Sequence, residues 1–218
     1  MGKEPSVLIM VSVEAEKEAL MAAAEARDSW NIQVGGVGAA PMSARTALLL
    51  AERDYDLVIS AGIAGAFPDK AWLGDIVAAS EIIAADMGAE TEEGFAPLEK
   101  LGLGPTHFTT EKTYTPELLQ KLVEQGVSAV EAPVLSVSTV TGTQATVNQR
   151  AFLYEDAAAE AMEGYGVAAA ASYFNVPVME LRAISNEVGP RDRDAWDIPG
   201  ALRSLRSAVL ILQEVISS

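Results

Sequence analysis

The chain contains no cysteine and one histidine, His107. Disulfides and thiolate metal sites are therefore excluded, and so is a histidine-rich zinc site. Basic residues are scarce: 15 Lys and Arg stand against 31 Asp and Glu, for a net charge of −16. Nucleic acid and anionic membrane surfaces select basic proteins, so neither is an expected partner. The acidity favours solubility and does not identify a substrate. No run of about 18 apolar residues is present, and no spanning helix is expected. The opening "MGKEPSVLIM" lacks the long apolar core and small-residue cleavage site of a secretory signal, so a cytoplasmic location is expected. There is no GxGxxG after the first strand and no Walker lysine motif. No cofactor and no metal are expected.

What is present is a chain of 218 residues, 50% of them hydrophobic, enough for a full core in one domain, 1–218. Short apolar β-branched runs alternate with Ala/Leu-rich stretches. The runs 7–13, 31–37, 56–62, 75–83, 133–140 and 177–185 read as strands. They are nearly continuous in hydrophobicity, as suits strands covered on both faces. Helices are predicted over 14–28, 41–53, 116–125, 144–158, 163–174 and 199–216. Pro41 suits a first helical turn, and Asn175 and Pro177 end helix 163–174. The alternation predicts an α/β fold: a mixed, largely parallel central sheet flanked by helices. The segment 86–112, with Gly88, Gly94, Pro97, Gly102, Gly104 and Pro105, reads as an irregular loop with a functional or interfacial role.

In such a sheet ligands bind at the carboxyl ends of the strands. After the first run come Glu14, Glu16 and Glu18. Acids suit the first turn of a helix, and a carboxylate there can also act as a base toward water. The glycines of "GGVG" and "SAGIAG" either allow close backbone packing or offer N–H groups to a ligand. Arg182 lies within the last strand, where a charge is costly unless paired. Asn186, just beyond, is a turn or cap residue or a donor and acceptor for a ligand. In "AMEGYG", Glu163 opens an Ala-rich helix whose two glycines, Gly164 and Gly166, read as room for close approach of neighbouring structure.

The order of these pieces, above all "MEG" followed by "LRAISN", resembles the purine nucleosidase and nucleoside phosphorylase superfamily, in its methylthioadenosine/adenosylhomocysteine nucleosidase branch. The likeness spans nearly the whole chain. Within the superfamily the chain looks most like the futalosine hydrolases. The stretch from Leu20 to Gly35 is short, "GFAPLEKLGLG" resembles that group's middle loop, and Asn186 stands where the nucleosidases carry Asp. The resemblance implies hydrolysis of an N-ribosidic bond, releasing hypoxanthine from futalosine in menaquinone biosynthesis. The alternatives are an adenine-releasing nucleosidase, a purine nucleoside phosphorylase and, from another class, a non-catalytic nucleoside-binding protein.

The resemblance also implies roles. Glu163 grips the ribose hydroxyls, with Met162 packed on the sugar and Arg182 in the same network. Glu16 orients and activates water. Gly62 and Ile63 form a ribose and water turn, with Ile63 where the nucleosidases often have Ser. Ala145 and Thr146 contact the base through their backbone, and Asn186 addresses the purine. Ala161 departs from the first Glu of the family's Glu-Met-Glu. Homo-oligomers are common in the family, and a dimer is expected, with the 86–112 loop, including Phe95 and Phe108, covering a neighbour's site. Acids rather than arginines at the first turn favour hydrolysis over phosphorolysis; Arg45 is the residue that argues the other way. Arg191 and Arg193, near Trp196, are candidates for the benzoate end of futalosine.

Overall fold

The computed structural model describes residues 4–24 and 29–217. The chain begins β1 (Val7–Val11), α1 (Glu14–Ala24), β2 (Trp30–Val34), α2 (Ala39–Glu52), β3 (Leu57–Ala66) and β4 (Ile76–Ala84). Three short strands follow, β5 (Gly88–Thr91), β6 (Gly94–Pro97) and β7 (His107–Thr109), then α3 (Thr115–Glu124) and β8 (Ala129–Ser136). The last part is α4 (Gln144–Leu153), β9 (Ala159–Ala161), α5 (Gly164–Phe174), β10 (Val178–Glu187), a short 3₁₀ turn and α6 (Ile198–Ile216). Residues 25–28 of the predicted first helix lie outside the described residues. Among the described residues, no helix is long and apolar enough to cross a membrane.

The main sheet has eight strands. Its centre is β3, which pairs in parallel with β10 along one edge. On its other edge β3 first pairs with β1, over Leu57–Ser60, and then with β9, over Gly65 and Ala66. The route β3–β10–β4–β8–β9–β3 closes on itself, while β1 and β2 extend outward. Between its two partners, residues 61–64 of β3 have no ladder neighbour on that edge. Backbone N–H groups left in such a gap need other acceptors.

Side chains alternate across β3 and β10 as the strand period requires. Ile59, Ala61, Leu181 and Ala183 join a core with Leu118 of α3 and Leu205 and Leu212 of α6. Val58, Ala64 and Ile184 join a second core with Leu49 of α2 and Val167 and Ala171 of α5. Ser60, Gly62, Glu180 and Arg182 lie on this second face.

Helix 144–158 is corrected: α4 ends at Leu153. The next alanines are recruited by the sheet, with Ala158 donating to the Pro133 carbonyl at 3.0 Å before β9 begins. Helix propensity yields there to an open place beside β8. The 86–112 segment is not irregular throughout. β5 and β6 form a hairpin, and β7 adds to β4. Glu99 ties its return, accepting from Thr106 N at 2.7 Å, His107 N at 3.0 Å and His107 Nδ1 at 2.8 Å. Those donors, Thr106 first, hold the Glu99 carboxyl down at about 2. Phe108 packs on Tyr165 of its own chain, with ring centroids 5.5 Å apart.

Candidate active site

Glu16 stands in the first turn of α1, where an acid can reach back to the backbone that enters the helix. Its Oε2 accepts from Ser12 N at 2.8 Å, Ser12 Oγ at 2.6 Å and Val13 N at 3.3 Å. Its Oε1 accepts from Ile63 N at 3.0 Å, so the gap in β3 is closed by a carboxylate. Glu14 and Glu18 are exposed and belong to the helix surface.

Arg182 and Glu180 project from β10 opposite Gly62 and Ser60 of β3. Arg182 Nε donates to Glu180 Oε1 at 2.8 Å and Nη2 to Ser60 Oγ at 3.0 Å. Its Nη1 lies 3.4 Å from Glu163 Oε2. A Cβ on Gly62 would stand 2.6 Å from both Arg182 Nη1 and Glu16 Oε1, so only glycine lets these two groups converge. Gly62 and Ile63 therefore sit inside β3; the predicted turn there is corrected to strand.

Glu163 precedes α5 and makes no cap to its own helix. Its carboxylate accepts from Gly38 N at 3.1 Å and Met162 N at 3.3 Å. Gly38 has a φ of 93°, the left-handed region that glycine tolerates, and this aims its N–H across at Glu163. The "GGVG" amide thus serves an internal carboxylate rather than an external anion. Both glycines of "AMEGYG" are close approaches: Gly164 makes room for the Glu180 carboxylate, and Gly166 for the Ala39 backbone.

Glu16, Glu163, Glu180 and Arg182 are 2%, 5%, 1% and 1% exposed, so three acids share one base away from water. Burial works against the Arg182 charge, but Glu180, Glu163 and Glu16 outweigh it and hold its proton more tightly than usual. Burial pushes the Glu180 carboxyl up, against the pull of Arg182 and with help from the Glu163 charge. Glu180 Oε2 also has no hydrogen-bond partner. A folded-state pKa raised above the unfolded value gives stability that is full below the unfolded value and lost as pH rises through the folded one. Replacing Glu180 by Gln removes this loss. The Tm of Glu180→Gln minus that of the wild type is expected to increase from pH 4 to pH 8 in scanning calorimetry. A difference that is flat or falls with pH rules out a raised Glu180.

The constellation borders a cavity of about 250 Å³ lined by Glu16, Ile63, Met162, Glu163 and Asn186, among others. In β10 the pairing register slips between Ile184 and Asn186, leaving Ser185 as an extra residue of the kind that re-aims a side chain. Asn186 Oδ1 accepts from Ser185 Oγ at 2.9 Å, and Nδ2 donates to the Glu187 carbonyl at 2.8 Å. One N–H and one lone pair of the amide remain for a ligand. Ala145 and Thr146 are not in the cavity wall; they form the first turn of α4, where Thr143 caps Thr146 N at 3.2 Å. Thr141 and Glu160 line that wall instead. Glu160 accepts from Thr141 N at 2.7 Å and Thr141 Oγ at 2.6 Å and pairs with Arg150, which fixes the loop before α4. Sequence reasoning missed Glu160 and Glu180. Glu180 was findable, since two residues before Arg182 on a strand is the same face.

The site is thus a set of buried acids around one arginine within a nearly closed sheet, and the chain matches the model of the phosphorylase superfamily over residues 20–217. It is 46% identical over 197 residues to the futalosine hydrolase of Streptomyces coelicolor, covering 88% of this chain and 81% of the relative. It is 47% identical over 182 residues to that of Acidothermus cellulolyticus, covering 84% and 74%. The chain belongs to the futalosine hydrolase family of the phosphorylase superfamily. Two solved structures share its fold. One is an S-adenosylhomocysteine nucleosidase from Streptococcus pyogenes, with a TM-score of 0.84, 21% identity and 98% of each chain covered. The other is a futalosine hydrolase mutant of Helicobacter pylori, with a TM-score of 0.81, 15% identity and 95% and 98% covered.

Proposed function

We propose that the protein hydrolyses the N-ribosidic bond of futalosine, releasing hypoxanthine and dehypoxanthinylfutalosine in menaquinone biosynthesis. The observation that carries this reading is the 46–47% identity, over most of the chain, to two futalosine hydrolases. The geometry supplies the chemistry. Cleavage builds positive charge on the ribose and negative charge on the departing purine. Water adds to C1′ while the bond from C1′ to the base nitrogen breaks, and the bonding electrons leave with the base. Glu16 orients that water and accepts the proton it loses as it adds to C1′. Glu163 accepts hydrogen bonds from the ribose hydroxyls, Met162 packs on the sugar, and Arg182 holds both carboxylates in place.

Asn186 addresses the base. An Asp at this place could carry a proton to N7 and accept from a 6-amino group. The Asn amide donates to N7 or to a 6-oxo group, which suits hypoxanthine. The proton that ends on the base arrives through water.

Phosphorolysis fits less well. Arg45 is exposed on α2 and outside the cavity, the Gly38 amide is engaged by Glu163, and Arg182 is enclosed by acids. The reading includes a homo-oligomer, with a dimer as the expected form. An apolar groove of about 490 Å³ beside the cavity, lined by Val37, Pro41, Met87 and Ala169, supports it.

Purified protein is expected to free hypoxanthine from futalosine without phosphate, and faster than it frees adenine from methylthioadenosine. A requirement for phosphate replaces this reading with phosphorolysis. Asn186→Asp is expected to shift the kcat/KM ratio toward adenine release by roughly tenfold, the scale of one mismatched buried hydrogen bond.

A further inference from the structure

The cavity wall extends beyond the residues assigned to the purine and the ribose. Val37 and Val140 line it while 55% and 42% exposed, so two apolar side chains face open space at its rim. Trp196 and Arg191 line the same cavity, with the Arg191 guanidinium 5.4 Å from the Trp196 ring centroid. Among the described residues Arg191 is the one cation of the lining, which also holds Glu16, Glu160, Glu163 and Glu187. Arg193 is absent from it.

We propose that Arg191, steadied on Trp196, is the subsite for the carboxylate of the substrate's benzoate end, with Val37 and Val140 as the apolar seat of its ring. The inference rests on the proposed futalosine activity and goes further by naming what selects the tail. A net charge of −16 opposes an anionic substrate. Salt screens charges beyond about 8 Å at physiological strength, so the local group decides. Of the four lining acids, Glu16 and Glu163 are engaged by backbone donors and Glu160 by Thr141 and Arg150, while Glu187 is exposed to solvent. Arg191 has no ion pair among the described residues. Stacking on an aromatic face occupies the plane of a guanidinium and leaves its edge of N–H donors free, a fork that matches a carboxylate.

The test compares futalosine with its carboxylate methyl ester, on wild-type protein and on Arg191→Gln and Arg191→Lys. Wild-type kcat/KM is expected to favour the acid over the ester by roughly tenfold or more, as charge-assisted hydrogen bonds do. In Arg191→Gln the ratio is expected to fall toward one, through KM, with partial recovery in Arg191→Lys. Because Arg191 is exposed, its replacement leaves the core intact. An Arg191→Gln protein with the wild-type ratio overturns the subsite. Wild-type protein that releases hypoxanthine from neither compound overturns the activity itself, a separate result from an unchanged ratio in active protein.

Discussion

Glu16→Gln is expected to lower kcat by roughly 10²–10⁴-fold, the range for loss of a general base, with KM changed only a few-fold. The substitution removes one charge and keeps the shape. Its consequences follow from the four donors around the carboxylate. The retained oxygen can still accept from Ser12 and Val13, but the new amide then faces Ile63 N across a 3.0 Å contact. Two buried donors opposed cost about 1–3 kcal/mol. In a chain of this length that lowers Tm by roughly 2–4 °C for each kcal/mol. Kinetics should therefore be read well below the transition, with the folded fraction measured by circular dichroism. Any loss of kcat beyond the folded fraction is chemistry. Retention of kcat within tenfold would leave Glu16 as a helix cap and no more.

Arg182→Met carries the largest expected effect on stability. Met fills the space but leaves Glu16, Glu163 and Glu180 with no cation among them. Removing one partner of a buried ion pair costs about 3–5 kcal/mol, so Tm should fall by roughly 6–20 °C, with activity abolished. Glu180, whose carboxyl burial already pushes up, relieves itself by taking up a proton, so the deficit should shrink as pH is lowered. A second substitution separates the charge effect from packing. Adding Glu180→Gln to Arg182→Met removes one uncompensated acid and should recover part of the loss, because neighbouring sites are not additive. An unchanged Tm in the single variant, or no recovery in the double, defeats the idea that Arg182 is the shared counter-charge.

Most of the fold was legible because its strands are buried on both sides and read as unbroken apolar runs, β1 being the plainest. What was misread has local reasons. The strand predicted over 56–62 runs on to Ala66 and takes in all of "SAGIAG". It is strand because Gly62 and Gly65 give room to side chains from elsewhere, Arg182 and Glu16 in one case and Asn186 and Val188 in the other. β9, "AEA", has no β propensity and exists because β8 and β3 both need a neighbour there. Of the site residues named from sequence, Glu16, Ile63, Met162, Glu163 and Asn186 come together at one cavity, with Gly62 and Arg182 directly behind them. Ala145 and Thr146 stand apart, because the chain leaves the cavity wall after Thr141, before α4 begins at Gln144. Glu160 was missed because it lies between the predicted helices 144–158 and 163–174, where no strand was expected.

The gap in β3 has a consequence for the order of assembly. The pieces of the site lie at 12–16, 36–38, 60–65, 160–163 and 180–186, and they meet only where β9 has come back to β3. Such distant pairings form late in folding, because loop-closure entropy opposes them. A chain that has collapsed, with β1, β2 and β3 already in register, still has no Glu163 beside Arg182. Regain of activity during refolding is therefore expected to report the long-range pairing of β9 and β10 with β3, and to lag signals from helices or buried tryptophan.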